Sequence, residues 1–199
     1  HGPLELLFTV DEETGLTGAQ AIQPGFVEGK TMLNMDSEEE GALYVGCAGG
    51  ADTHITLPVD RGNARGERFR VQVKGLKGGH SGLDINTGRG NAIKVLAWFL
   101  DGLRKECDFS LVTFDGGDKH NAIPREAAAE VILPGKGREA ADRVLASLRE
   151  DLKACFAKTD PDVAVEVSTA GADGKTLTKE SRDRLLDLVL ALPHGVLAM

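Results

Sequence analysis

The sequence predicts a mixed α/β fold of the α+β type in two parts. Three patterns carry this. Residues 1–48 hold short apolar runs that stop abruptly at acids and glycine. Further on, apolar residues alternate at period two in Phe69, Val71 and Val73, again in Ala127, Ala129, Val131 and Leu133, and again in Val163, Val165 and Val167. Between these lie stretches of helical period, so residues 49–199 read as a second unit with the order β-α-β-β-α-β, the ferredoxin-like arrangement of two helices on one face of a four-stranded antiparallel sheet.

In the first part, residues 4–10 (LELLFTV) read as a strand buried on both faces, which in open parallel sheets delivers polar residues at its carboxyl end. Asp11, Glu12 and Glu13 stand there. Two readings of this acidic stretch are open. It is a solvated turn, as Asp and Gly are ordinary turn residues, or it is a pair of carboxylates that divide metal binding from proton transfer. Residues 15–21 suggest a short helix, and residues 32–35 and 42–47 suggest further short strands. Residues 51–60 alternate weakly and end near Pro58, as an edge strand or connector would.

In the second part, Phe69 to Val73 form the first half-buried strand, and a glycine-rich loop covers residues 75–90. Ile93, Leu96, Ala97, Leu100 and Leu103 then predict an amphipathic helix over residues 89–106. Residues 109–114 and 127–133 read as strands, the latter stopped by Pro134. Val144, Leu145, Leu148, Leu152, Cys155 and Phe156 share a second helical face, and a last strand follows at Val163 to Val167. Residues 178–192 predict one more helix ending before Pro193, and residues 195–199 the start of a strand cut short.

Composition narrows the function classes. With 199 residues, 41% hydrophobic and 27% charged, the chain can build a proper core and is neither disordered nor a disulfide scaffold. Its 23 basic against 31 acidic residues give a net charge of −8, which speaks against a nucleic-acid binder because no phosphate-neutralising stripe exists. Cys47, Cys107 and Cys155 are odd in number and lack a Cys-x-x-Cys spacing, so they fit a reducing, cytoplasmic setting as small buried residues. No apolar run approaches the ~18 residues of a membrane span. The glycine loops match neither a P-loop nor a dinucleotide fingerprint. Ser81, in Gly-His-Ser-Gly, is not in the elbow of a serine hydrolase.

Five stretches, taken in order, carry a more specific signal: TVDEETG, NMDSEEEG, YVGCAGG, KGLKGGHSGLDINTGRGNA and GGDKHNAIPREA. Together they resemble the dinuclear-zinc metallopeptidase family that contains carboxypeptidase G and carnosinase, and within it the aminoacyl-histidine (Xaa-His) dipeptidase branch. The resemblance implies a fragment of a zinc-exopeptidase catalytic domain over residues 1–48, followed over 49–199 by a ferredoxin-like lid or dimerisation domain truncated at its end. It implies a pair of zinc ions, with manganese or cobalt as possible substitutes, a small dipeptide substrate, and a homodimer formed through the lid.

By the same resemblance, Glu13 is a metal ligand, Glu12 the general base, and Asp36 a ligand of the second ion. His80 reaches from the lid of one subunit to stabilise the oxyanion in the other, and Asn121 contacts substrate. Arg125 is a candidate for holding the substrate carboxylate, as guanidinium groups do. Each has a plainer reading: Asp36 as a cap or loop acid, His80 as a surface residue, Asn121 as a turn residue, and Arg125 as an ordinary strand start. The family's His-x-Asp, bridging Asp and downstream His are missing from this sequence, so the chain by itself is expected to be inactive. The competing reading is a non-catalytic dimerisation module.

Overall fold

An extended segment satisfies its backbone polar groups only where a neighbouring strand pairs with it, and this decides the first part of the chain. The computed structural model describes residues 2–13, 15–35 and 39–198. The chain divides into two compact units, His1–Gly50 and Ala51–Met199. Among the described residues of the first unit, the strands expected at 4–10, 32–35 and 42–47 do not form. They have no ladder partner, and Leu4, Phe8, Met32 and Leu43 remain more than 80% exposed. The order present is sparse. The short helix α1 (Thr17–Gln20) forms, and the Glu5 carboxylate accepts the backbone amides of Glu28 and Gly29.

The second unit contains the predicted β-α-β-β-α-β order. Strand β1 (Arg61–Lys74) is followed by the two-residue strand β2 (Gly79–His80) and helix α2 (Ala92–Glu106). Then come β3 (Ser110–Gly116), the two-residue β4 (Ala122–Ile123), β5 (Ala127–Leu133), helix α3 (Gly137–Phe156), β6 (Ala164–Leu177) and helix α4 (Lys179–Ala191). The main sheet has the order β3-β5-β1-β6. All its pairings are antiparallel, with Val71 opposite Ala129 on one side and Val167 on the other.

The period-two pattern does what it predicts. Phe69, Val71, Val73, Ala129, Val131 and Val165 face the core, where α2 contributes Val95, Leu96, Phe99, Leu100 and Leu103, and α3 contributes Leu145, Leu148, Leu152 and Phe156. The alternate residues face solvent and pair across strands, as in Lys74 with Glu166 at 2.8 Å. Helix α2 starts cleanly because the Asn91 side chain accepts the amides of Ile93 and Lys94. Helix α4 starts at Thr178, whose hydroxyl accepts the Ser181 amide.

Several expectations need correction. Strands β1 and β6 are each 14 residues long, because their outer halves pair with one another as a ribbon that is exposed except at Thr176 and Leu177. That ribbon is held by backbone bonds through Gly62, Ala64, Gly171 and Gly174, which carry no apolar alternation to announce it. Residues 51–60 and 195–198 form no strand. Residue Asp60 instead bonds to the start of α4, its amide donating to the Ser181 hydroxyl and its carbonyl accepting the Thr178 amide. The cysteines are free, but Cys47 and Cys155 are exposed and Cys107 is half-buried, so they do not fill the core.

One buried carboxylate joins distant parts of this unit. Asp160 has no solvent exposure. Its Oδ1 accepts the Lys77 amide at 2.8 Å and its Oδ2 the Gly90 amide at 2.9 Å, the two ends of the glycine-rich loop. Replacing Asp160 with Ala leaves both amides without their acceptor and is expected to destabilise the chain by about 3 kcal/mol, given the usual strength of hydrogen bonds to charged groups. Urea unfolding of the variant against the parent chain measures this. A loss under about 1 kcal/mol would remove the clasp from the account.

Candidate functional site

A pocket of about 400 Å³ opens where the two short strands meet. It is lined by Lys77, Gly78, Gly79, His80, Asp118, Asn121, Ala122, Ile123 and Arg125. Three of the sequence-predicted residues, His80, Asn121 and Arg125, thus come together on one face of the second unit. The pairing that joins them is minimal: Gly79 lies opposite Ile123 and His80 opposite Ala122. It is extended by the Ser81 amide, which donates to the Asn121 carbonyl at 2.9 Å.

Glycine makes the pairing possible. Gly78 has φ 66° and Gly79 φ 147°, both outside the range comfortable for residues with a Cβ. A Cβ on Gly79 would stand 2.4 Å from Arg89 Nη1 and 2.6 Å from Asp84 Oδ2. These two side chains close beneath the loop. Asp84 Oδ2 accepts the His80 amide at 2.8 Å, Asp84 Oδ1 lies 3.0 Å from Arg89 Nη2, and Arg89 Nη1 donates to the Gly78 carbonyl at 2.8 Å.

The His80 ring is held as well as its backbone. Its Nδ1 accepts the amides of Gly82 at 3.0 Å and Leu83 at 3.2 Å. A backbone N–H only donates, so Nδ1 carries the lone pair and, in the neutral ring, the proton sits on Nε2. His80 therefore presents a hydrogen-bond donor. With Lys77 and Arg125 against the single acid Asp118, the pocket has the donors and positive charge that suit an oxyanion or a carboxylate.

The acidic stretch of the first unit is a separate feature. Glu12 and Glu13 are exposed in a turn whose hinges, Asp11 and Leu16, have φ 58° and 59°. The Leu16 amide donates to the Asp11 carbonyl at 2.9 Å, and the Thr17 hydroxyl to Asp11 Oδ2 at 2.8 Å. Asp36 lies outside the described residues. Among the described residues, no group of three or more His, Cys, Asp or Glu side chains gathers to hold a metal ion. Glu12 and Glu13 alone fall short of the three protein ligands a catalytic zinc takes. The described residues do not by themselves fit a dinuclear centre.

Sequence reasoning missed Asp84, Arg89 and Asp160. Asp84 lies between Gly82 and Gly88 and Arg89 follows Gly88, inside the glycine-rich loop, where no periodicity marks an individual side chain. Asp160 precedes Pro161 and reads as a turn.

Residues 71–160 match the family described as peptidase dimerisation domain. The chain is 41% identical to the cytosol non-specific dipeptidase of Escherichia coli (strain K12), over 99% of this chain and 41% of that protein. It superposes on the crystal structure of aminoacylhistidine dipeptidase from Vibrio alginolyticus with a TM-score of 0.75 and 35% identity, covering 96% of this chain and 39% of that one. The chain thus spans about two fifths of the length of each of these relatives. Among the described residues, no helix is long and apolar enough to cross a membrane.

If the loop depends on the space under Gly79, Gly79→Ala displaces the Asp84–Arg89 pair and costs about 1–3 kcal/mol in backbone strain. Chemical denaturation gives the energy and the amide resonances of residues 80–84 give the displacement. Unchanged resonances with full stability would mean that the pair does not need that space.

Proposed function

We infer, for a chain whose residues 71–160 belong to the peptidase dimerisation domain family, that it is part of a cytoplasmic metal-dependent dipeptidase, and that its second unit supplies the substrate-facing lid and the dimer contact. The observation that carries the reading is the gathering of His80, Asn121 and Arg125 in one pocket rich in hydrogen-bond donors. The dipeptidase identity of the relatives supports the reaction class.

In this reading His80 donates Nε2–H to the developing oxyanion of a peptide bond, and Asn121 and Arg125 hold the substrate's polar groups, with Arg125 on the terminal carboxylate. Glu12 serves as the general base. Glu13 and Asp36 are carboxylate ligands of a zinc pair whose remaining ligands lie outside this sequence. Dipeptides of the Xaa-His type are the proposed substrates, and His80 serves the active site of the partner subunit, an exchange that two-fold symmetry permits.

Two measurements test this. The purified 199-residue chain, supplied with zinc, is expected not to hydrolyse Xaa-His dipeptides. Substantial turnover would show that the ligand count is wrong. In the complete enzyme, subunits carrying Glu12→Gln mixed with subunits carrying His80→Ala give mixed dimers with one doubly defective site and one intact site. Activity is expected to return to roughly half per mixed dimer. Exchange of subunits without recovery would mean that His80 serves its own chain or no active site. Full activity in both single variants would mean that neither Glu12 nor His80 takes part in turnover.

A further inference from the structure

The loop from β2 to α2 contains an ion pair for which the reading above has no role. Asp84 and Arg89 are only partly covered, with side-chain exposures of 27% and 29%. An ion pair this open to solvent contributes little to stability, so its effect is to be sought in geometry. Asp84 binds the His80 backbone twice. Its Oδ2 accepts the His80 amide at 2.8 Å, and its own amide donates to the His80 carbonyl at 2.9 Å. This closes residues 80–84 into a ring, inside which the amides of Gly82 and Leu83 point at His80 Nδ1. Arg89 then ties the ring to the loop residue just before β2, one guanidinium nitrogen on Asp84 and another on the Gly78 carbonyl.

We propose that Asp84 and Arg89 are positioning residues that hold His80 in its Nε2–H tautomer, as a hydrogen-bond donor at the pocket. The proposal rests on the reading of His80 as a donor to the substrate. The chain of cause is short. Asp84 fixes the ring of backbone, the ring aims two amides at Nδ1, and those amides leave Nε2 as the nitrogen that carries the proton. Arg89 suits its place because a planar guanidinium reaches a carboxylate and a carbonyl at once in a fixed fork, which a lysine ammonium on its flexible stem does not. Gly79 supports the assignment, since a Cβ there would occupy the space of both side chains.

The test uses the uniformly ¹⁵N-labelled chain and long-range ¹H–¹⁵N imidazole spectra at a pH where the ring is neutral. The parent chain is expected to show His80 as a single tautomer with an unprotonated Nδ1. Asp84→Ala is expected to show averaging between tautomers, and Arg89→Lys to resemble Arg89→Ala rather than the parent. Asp84→Asn keeps an acceptor for the His80 amide while uncoupling Arg89, and provides a near-isosteric variant should Asp84→Ala fold poorly. Core amide resonances of α2 and β5 report that each variant is folded. A single Nδ1-unprotonated tautomer retained in folded Asp84→Ala, or in Asp84→Asn and Arg89→Ala together, overturns the proposal, as does a tautomer mixture in the parent.

Kinetics of the complete enzyme separate this from the reading beneath it. Asp84→Ala is expected to lower kcat about tenfold or more with KM within about twofold. It should cost nothing further in a His80→Ala background, because it acts through His80. A full additional loss there would make Asp84 merely structural. Full kcat in His80→Ala alone would overturn the donor role itself, and that failure is distinguishable because the tautomer spectra decide the positioning independently of turnover.

Discussion

The carboxylate of Asp160 fixes where the candidate pocket can be. It sits just beyond α3, without exposure, and accepts the amides at both ends of the glycine-rich loop. A buried carboxylate is costly unless its oxygens are satisfied, and here each oxygen takes one backbone donor. The loop between Lys77 and Gly90 is therefore closed at its base by the packed α/β layer, whatever its tip does. The ladder between β2 and β4 is only two residues deep. Such a ladder is marginal by itself, and the clasp makes up for its shortness.

From that base the order of support runs outward. Phe69, Val71 and Val73 fix β1, and β1 delivers Leu76 to the core as the chain leaves the sheet. Asn91 caps α2 and so sets the far end of the loop. The Ala92 amide donates to the Pro124 carbonyl at 2.8 Å, which brings the strand after Asn121 against the helix start. His80 and Asn121, forty-one residues apart in the chain, are neighbours because each flanks an element anchored in the same core. The pocket's polar residues stand on the loops, and the apolar pattern beneath them places them.

This explains what was legible in the sequence and what was not. Alternation at Ala127 to Leu133 and the helical spacing at Leu96, Leu100 and Leu103 gave their elements to within a few residues, because burial on one face imposes a period that survives in the text. His80, Asn121 and Arg125 were legible only through the motifs around them, not through spacing, since they come from two separate loops. Asp160 and the Asp84–Arg89 pair were invisible for another reason. Apart from the ion pair between Asp84 and Arg89, their bonds go to backbone atoms, and a backbone acceptor or donor leaves no side-chain signature. The strands expected at residues 4–10, 32–35 and 42–47 were misread because an apolar run records a demand for burial, not the partner that meets it.

The two groups of candidate residues are consequently held in different ways. The Glu12–Glu13 turn rests on exposed, short-range bonds around Asp11 and Leu16, of the kind that open at little cost in free energy. His80 rests on a chain of bonds that ends in a fully buried carboxylate. Catalytic geometry tolerates errors of only fractions of an ångström, so a donor meant to meet a developing charge has to be stiff before substrate arrives, whereas a carboxylate that binds a cation can be drawn into place by the ion's own charge. The unequal rigidity of His80 and Glu13 matches the unequal demands of the roles proposed for them.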